Sequence, residues 1–88
     1  MSSHEENTMA VAYCWATGMI EIGEATPDGA IPLAVGDATA LHESVRGEAT
    51  LAYDNATMLI PGFGFAQDDD AKLDCVAAFA DRLHRCLR

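Results

Sequence analysis

Residues 67–88 carry the longest helical pattern in the chain. Three aspartates, at positions 68–70, open the segment, and three arginines, at 82, 85 and 88, close it. Acidic side chains stabilise the N-terminal end of a helix dipole and basic side chains its C-terminal end. Between them, apolar residues recur at the three- and four-residue spacing of one helix face: Leu73, Val76, Ala77, Ala80, Leu83 and Leu87. The pattern predicts an amphipathic helix that packs on the rest of the domain.

The first third of the chain alternates with a period of two. In residues 9–16, larger side chains alternate with Ala or Cys, which is typical of a strand. Thr17 and Gly18 then predict a turn, after which residues 19–22 return as a second strand. One long strand with a bulge at Gly18 is the alternative.

The middle of the chain predicts a short helix between two more strands. Residues 30–35 are apolar and β-capable, but because proline donates no ladder hydrogen bond, Pro32 predicts a strand that is at an edge of the sheet or only partly paired. Asp37 is the predicted N-cap of a helix that ends near Gly47. Residues 57–60 form the last predicted strand.

Together these elements predict a small α+β domain of order β-β-β-α-β-α, in which residues 51–53 are ambiguous. Its antiparallel or mixed sheet of three or four strands would be covered on one face by the two helices. The Phe63 and Phe65 rings are expected to seal the core beneath the second helix. Residues 1–8 form a predicted flexible leader, and residues 9–88 form the single domain.

Charge is distributed unevenly along the 88 residues. The formal net charge is −9, and residues 1–71 carry twelve acidic residues against Arg46 alone, a net charge of −11. Such acidity argues against direct binding of nucleic acid or an anionic membrane and favours a basic protein partner. Simple solubility is the alternative explanation. Because the chain has neither a long apolar run nor a signal peptide, we expect a soluble intracellular protein, a monomer or a small homo-oligomer.

Catalytic and metal-binding motifs are not recognisable. His84 and Cys86 are two residues apart on the predicted helix and therefore lie on different faces, so they do not form a nucleophile–base pair. The remaining candidates are Cys14, Cys75, Ser44 and His42, without a pattern that joins them. The three cysteines are odd in number and lack zinc-site spacing, and residues 68–70 lack the pattern of a calcium loop. The sequence predicts no enzyme activity, no metal and no cofactor.

The candidate functional residues are therefore acidic side chains that could contact a basic partner. If several share one face, they could imitate the spaced charges of a nucleic-acid backbone; a scattered, solvated distribution is the alternative. The predicted partner-binding residues are Glu21, Glu24, Asp28, Asp37, Glu43, Asp54, Asp68, Asp69 and Asp70.

Three segments resemble short phage- and prophage-encoded host-nuclease inhibitors, some of which act as anti-CRISPR proteins. The segments are residues 13–23 (YCWATGMIEIG), 27–32 (PDGAIP) and 59–62 (LIPG), and the similarity extends over about residues 10–88. These motifs are turns and strands, so they carry no residue roles with them.

The resemblance implies a small, non-enzymatic inhibitor that acts in the cytoplasm of the host bacterium. Its target would be a type I CRISPR effector complex (Cascade), for example of subtype I-C, whose basic DNA-binding channel it would block. The basic C-terminal end of the last helix differs from the uniformly negative charge expected of a DNA mimic. The alternative is an acidic adaptor or antitoxin-like module with a different basic partner.

Overall fold

A computed structural model of the chain describes residues 8–52 and 56–87. Most of the predicted leader, the predicted contact residue Asp54 and the terminal Arg88 lie outside these ranges. The elements are β1 (Met9–Cys14), β2 (Met19–Gly23), β3 (Ile31–Asp37), α1 (Ala38–Glu48), β4 (Thr50–Ala52), β5 (Thr57–Leu59), a 3-10 turn (Phe63–Phe65) and α2 (Asp69–Cys86).

The predicted α+β class is confirmed, but the predicted strand number and order are wrong in detail. The sheet has five strands in the order β3-β1-β2-β5-β4, and all neighbouring strands are antiparallel. The additional strand is β4, which falls on the segment that the sequence leaves ambiguous. β4 and β5 have three residues each, too few for an alternating pattern to identify a strand. As predicted from Pro32, β3 lies at an edge.

β1 and β2 form a hairpin, so the alternative of one long bent strand is wrong. The Trp15 N–H donates to the Met19 carbonyl at 2.9 Å, and the Gly18 N–H donates to the Trp15 carbonyl at 2.9 Å. The loop therefore has three residues, 16–18, and ends with Gly18 at φ 90°. A left-handed glycine at this position is the usual end of a three-residue hairpin loop.

The sheet contains two crossover connections between parallel strands, one on each of its faces. β2 and β3 run in the same direction on either side of β1, so residues 24–30 must cross β1. β3 and β4 also run in the same direction. The connection through α1 crosses the sheet from β3 to β4, which is opposite to the direction in which residues 24–30 cross it. Since such crossovers are right-handed, the two connections lie on opposite faces. We call the face that the helices cover the helix face, and the other the open face.

The hydrophobic core lies between the helix face and the two helices. Ala10, Ala12 and Cys14 of β1 point into it, whereas Tyr13, although buried, is not part of this cluster. The largest fully buried side chains are Phe79, Leu41, Ile60, Leu83, Val45 and Cys14. The small residues of β1 let α1 approach the sheet closely, whereas α2 packs mainly on β3 and α1.

The predicted apolar stripe of the second helix is correct in part. Val76 and Leu83 are buried, but Leu73 is 54% exposed, Ala77 is exposed, and the most deeply buried residue of the helix is Phe79, which the stripe omits. Leu73 is exposed because it borders a cavity at the N-terminal end of α2 rather than a strand.

Only one of the two phenylalanines has its predicted role. Phe63 is partly buried against the core, as expected, but Phe65 is 88% exposed. Residues two apart in a 3-10 turn of three residues per turn point about 240° apart, so both rings cannot face the core.

Candidate functional site

The open face and its crossover gather three of the predicted contact residues. Glu21 lies on β2, directly opposite Tyr13 of β1 and therefore on the open face. Glu24 and Asp28 lie on the crossover segment 24–30, and right-handedness of the crossover assigns this segment to the same face. All three carboxylates are exposed. We call Glu21, Glu24 and Asp28 the open-face acids.

The other predicted contact residues lie elsewhere in the molecule. Asp37 and Asp68 are the N-caps of α1 and α2, because their carboxylates accept hydrogen bonds from the backbone N–H groups three residues later, Ala40 at 3.2 Å and Ala71 at 2.8 Å. Asp69 and Asp70 form the first turn of α2, and Glu43 lies on the exposed side of α1. Glu43, Asp68, Asp69 and Asp70 belong to the helix layer, and Asp37 lies opposite Met9 where β3 joins α1, so the acidic side chains do not form a single surface. Helix capping explains why aspartates stand at positions 37 and 68, without a contact to a partner protein.

The basic side chains of α2 interact with partners outside the open face. Arg82 Nε lies 3.4 Å from Glu48 Oε1, and Arg85 Nη2 lies 3.7 Å from Asp81 Oδ2. The first contact is an ion pair without hydrogen-bond geometry, since the buried Arg82 Nε has no hydrogen-bond acceptor. The Lys72 ammonium lies 5.7 Å from the centre of the Phe63 ring. Within the described part of the chain, Glu24 and Asp28 form no ion pair, so their charges are not neutralised locally.

Glu21 is the centre of a cluster with two aromatic side chains. The Tyr13 hydroxyl donates to Glu21 Oε1 at 3.3 Å, and the Trp15 indole Nε1–H donates to the same oxygen at 3.1 Å. The two rings are perpendicular, with centroids 5.8 Å apart. Burial and, next, the Glu21 charge raise the pKa of Tyr13, so the phenol stays protonated and remains a donor.

The sequence alone misses this cluster because of one residue of register. A two-residue turn at 17–18 would place Tyr13 opposite Ile22 and Glu21 on the other face. The three-residue loop instead pairs Tyr13 with Glu21. Since a shift of one residue exchanges the faces of a strand, only the loop length decides whether the cluster exists. The sequence signal for the three-residue loop, and therefore for the cluster, is Gly18, which closes the loop.

The catalytic candidates do not assemble into a reactive site. Cys14 is fully buried, and burial raises the pKa of its thiol, which favours the unreactive protonated form. His84 Nε2 lies 3.1 Å from the Leu33 carbonyl, and His42 is exposed on α1. Over residues 8–52 and 56–87, no group of three His, Cys, Asp or Glu side chains could hold a metal ion. The absence of enzyme activity stays a prediction.

A second surface feature is a cavity of about 270 Å³ at the N-terminal end of α2. Its walls are mostly apolar, and Asp69 and Lys72 stand at its edge. Trp15 borders this cavity as well as contacting Glu21. The cavity therefore lies next to the aromatic cluster, around the end of the β1–β2 hairpin.

None of the helices in the described ranges is long and apolar enough to cross a lipid bilayer. No family model, no curated protein and no solved structure matches this chain.

Proposed function

We propose that this protein is a non-enzymatic inhibitor whose acidic surface occupies the basic DNA-binding channel of a type I CRISPR effector complex. The observation that carries the proposal is the set of exposed, unneutralised carboxylates on the open face and its crossover. The resemblance of residues 13–23, 27–32 and 59–62 to host-nuclease inhibitors gives the class of target.

The physical basis is electrostatic competition with DNA. A basic channel attracts any surface that presents spaced negative charges, and a net charge of −9 accelerates the encounter. Glu24 and Asp28 lie on a segment outside the ladder, so they can contact a channel wall without disturbing the sheet. The basic residues Arg82 and Arg85 are paired with acids of their own chain, which reduces their repulsion from a basic target.

A gel shift tests the proposal directly. Purified type I effectors, beginning with subtype I-C, are mixed with target double-stranded DNA with and without this protein. We expect the shifted DNA band to disappear at near-stoichiometric amounts of inhibitor. Intact DNA binding and intact cleavage across the type I subtypes would contradict the proposal, and an acidic adaptor or antitoxin-like module would then be the better explanation.

A charge-reversal pair identifies which surface enters the channel. We expect Glu24→Lys with Asp28→Lys to weaken inhibition at least about tenfold, because two attractive contacts become repulsive. The matched control is Glu43→Lys with Asp74→Lys, which changes the net charge equally on exposed positions of the helix layer. We expect the control pair to weaken inhibition by less than about threefold, the size expected for a screened change in net charge.

The comparison is read from inhibition titrations of both pairs, with circular dichroism to verify that each variant folds. Equal losses would show that net charge alone matters. A larger loss in the control pair would assign the contact to the helix layer, which also contains the predicted contact residue Glu43.

A further inference from the structure

Two hydrogen-bond donors converge on one oxygen of an exposed carboxylate in the Tyr13–Trp15–Glu21 cluster. Both the phenol and the indole donate to Glu21 Oε1. A carboxylate has about four lone-pair positions, two on each oxygen. Within the described residues, no hydrogen bond or ion pair involves Oε2. The cluster thus holds the carboxylate in a fixed orientation while half of its acceptor capacity remains available.

Apolar side chains of the strands share the open face with this carboxylate. Cross-strand pairing places Val11, Val35, Met19 and Leu59 on the open face with Glu21. Met9 and Val35 at one end of this face are each 59% exposed. A fixed negative charge within an apolar surface is complementary to a cation on an apolar stem.

We propose that Tyr13, Trp15 and Glu21 form a binding site for the guanidinium group of an arginine side chain on a basic protein partner. The inference rests on the proposed function for the class of partner, since a DNA-binding channel presents arginines. It does not depend on which effector supplies the arginine.

Arginine fits this cluster better than lysine for two physical reasons. A guanidinium is planar and stacks on aromatic rings, and the partly exposed Trp15 ring next to the carboxylate offers such a surface, with the buried Tyr13 ring perpendicular to it. It also donates several N–H groups in a fixed fork, so it can bond Oε2 while it contacts a ring. At protein–protein interfaces, aromatic side chains around a charged contact often contribute most of the binding affinity.

The test uses Trp15 as its own reporter, because it is the single tryptophan of the chain. The protein is titrated at low salt with a capped octa-arginine peptide and with an octa-lysine peptide, and indole fluorescence is recorded. We expect a saturable change with the arginine peptide and weaker binding of the lysine peptide. Glu21→Gln should weaken arginine-peptide binding about tenfold or more, the loss expected for a charge-assisted hydrogen bond.

The matched control is Asp74→Asn, which removes the same charge from an exposed position on α2. We expect it to weaken binding less than about threefold, as for a screened surface charge. Glu21→Gln keeps an oxygen that accepts from Tyr13 and Trp15, so its fold should persist. The wild-type protein provides an independent measurement: the NMR signal of the Trp15 indole N–H should shift when N-acetyl-arginine amide is added.

Equal losses in Glu21→Gln and Asp74→Asn would overturn the arginine site and indicate diffuse attraction. An unshifted Trp15 indole signal at saturating peptide would overturn it as well. These outcomes are separate from the gel shift. A failed gel shift with an intact Trp15 response removes the effector proposal and supports the arginine site, whereas successful inhibition without a Trp15 response removes the arginine site alone.

Discussion

The backbone conformation of Gly18 determines which residues meet at the candidate site. Its φ of 90° closes the three-residue loop that places Tyr13 opposite Glu21. A side chain on Gly18 would also meet the Phe63 ring, since an ideal Cβ would lie 2.6 Å from Cδ1. One glycine therefore supports both the register of the hairpin and the packing of the 3-10 turn.

We predict that Gly18→Ala lowers the free energy of unfolding by about 1–3 kcal/mol, from backbone strain and displacement of the ring. The control is Gly47→Ala, because Gly47 lies inside α1 and an added Cβ would meet no atom within 4 Å. That variant should raise stability by about 0.4–1 kcal/mol. Urea unfolding followed by circular dichroism measures both. A neutral Gly18→Ala would show that the loop tolerates another backbone conformation.

At the scale of elements, the helices are defined by their ends as much as by their apolar faces. Asp37 and Asp68 each satisfy a backbone N–H that would otherwise have no partner at the start of a helix. The Asp37 N-cap predicted from the local sequence is confirmed, and among the three aspartates that open α2 the structure identifies Asp68 as the cap. The apolar face of α2 is less predictable, because Phe79 and Leu73 exchange the roles expected from spacing alone.

The capping function of Asp68 can be separated from that of its neighbours. We predict that Asp68→Ala lowers stability by about 1 kcal/mol, because the Ala71 N–H loses its acceptor. Asp70→Ala should lower it by less, about 0.3–0.5 kcal/mol, because only the attraction to the helix dipole is lost. Thermal unfolding of both variants at low salt compares the two effects. Equal losses would mean that the charge of the run, rather than the cap, stabilises the helix.

At the scale of the whole molecule, the two crossovers divide the domain into surfaces of different character. The helix layer contains the paired acids and bases of α1 and α2, whereas the open face combines apolar side chains with the open-face acids. This division gives the molecule one face suited to a basic partner, although the net charge alone would not distinguish the faces.

We predict that inhibition weakens steeply with salt, by about tenfold or more between roughly 50 and 500 mM, because the Debye length falls over this range. The measurement is the inhibitor concentration that halves effector–DNA binding, corrected for the effect of salt on DNA binding itself. The Glu24→Lys, Asp28→Lys variant should show a shallower dependence than the wild type. A flat wild-type response would remove the electrostatic explanation.

Local sequence determined the α+β class and the Asp37 N-cap, and it predicted the β1–β2 hairpin and the edge position of β3, each as one of two alternatives. Each depends on residues a few positions apart, through periodicity, capping and the chemistry of glycine and proline. Tertiary structure alone decided the fifth strand, the strand order and the burial of Phe79. It also decided that Glu21 meets Tyr13 and Trp15 and that Glu24 and Asp28 cross the same face. The physical reason is that register and crossover handedness arise from contacts between distant segments, where one residue of loop length moves a side chain from one face to the other.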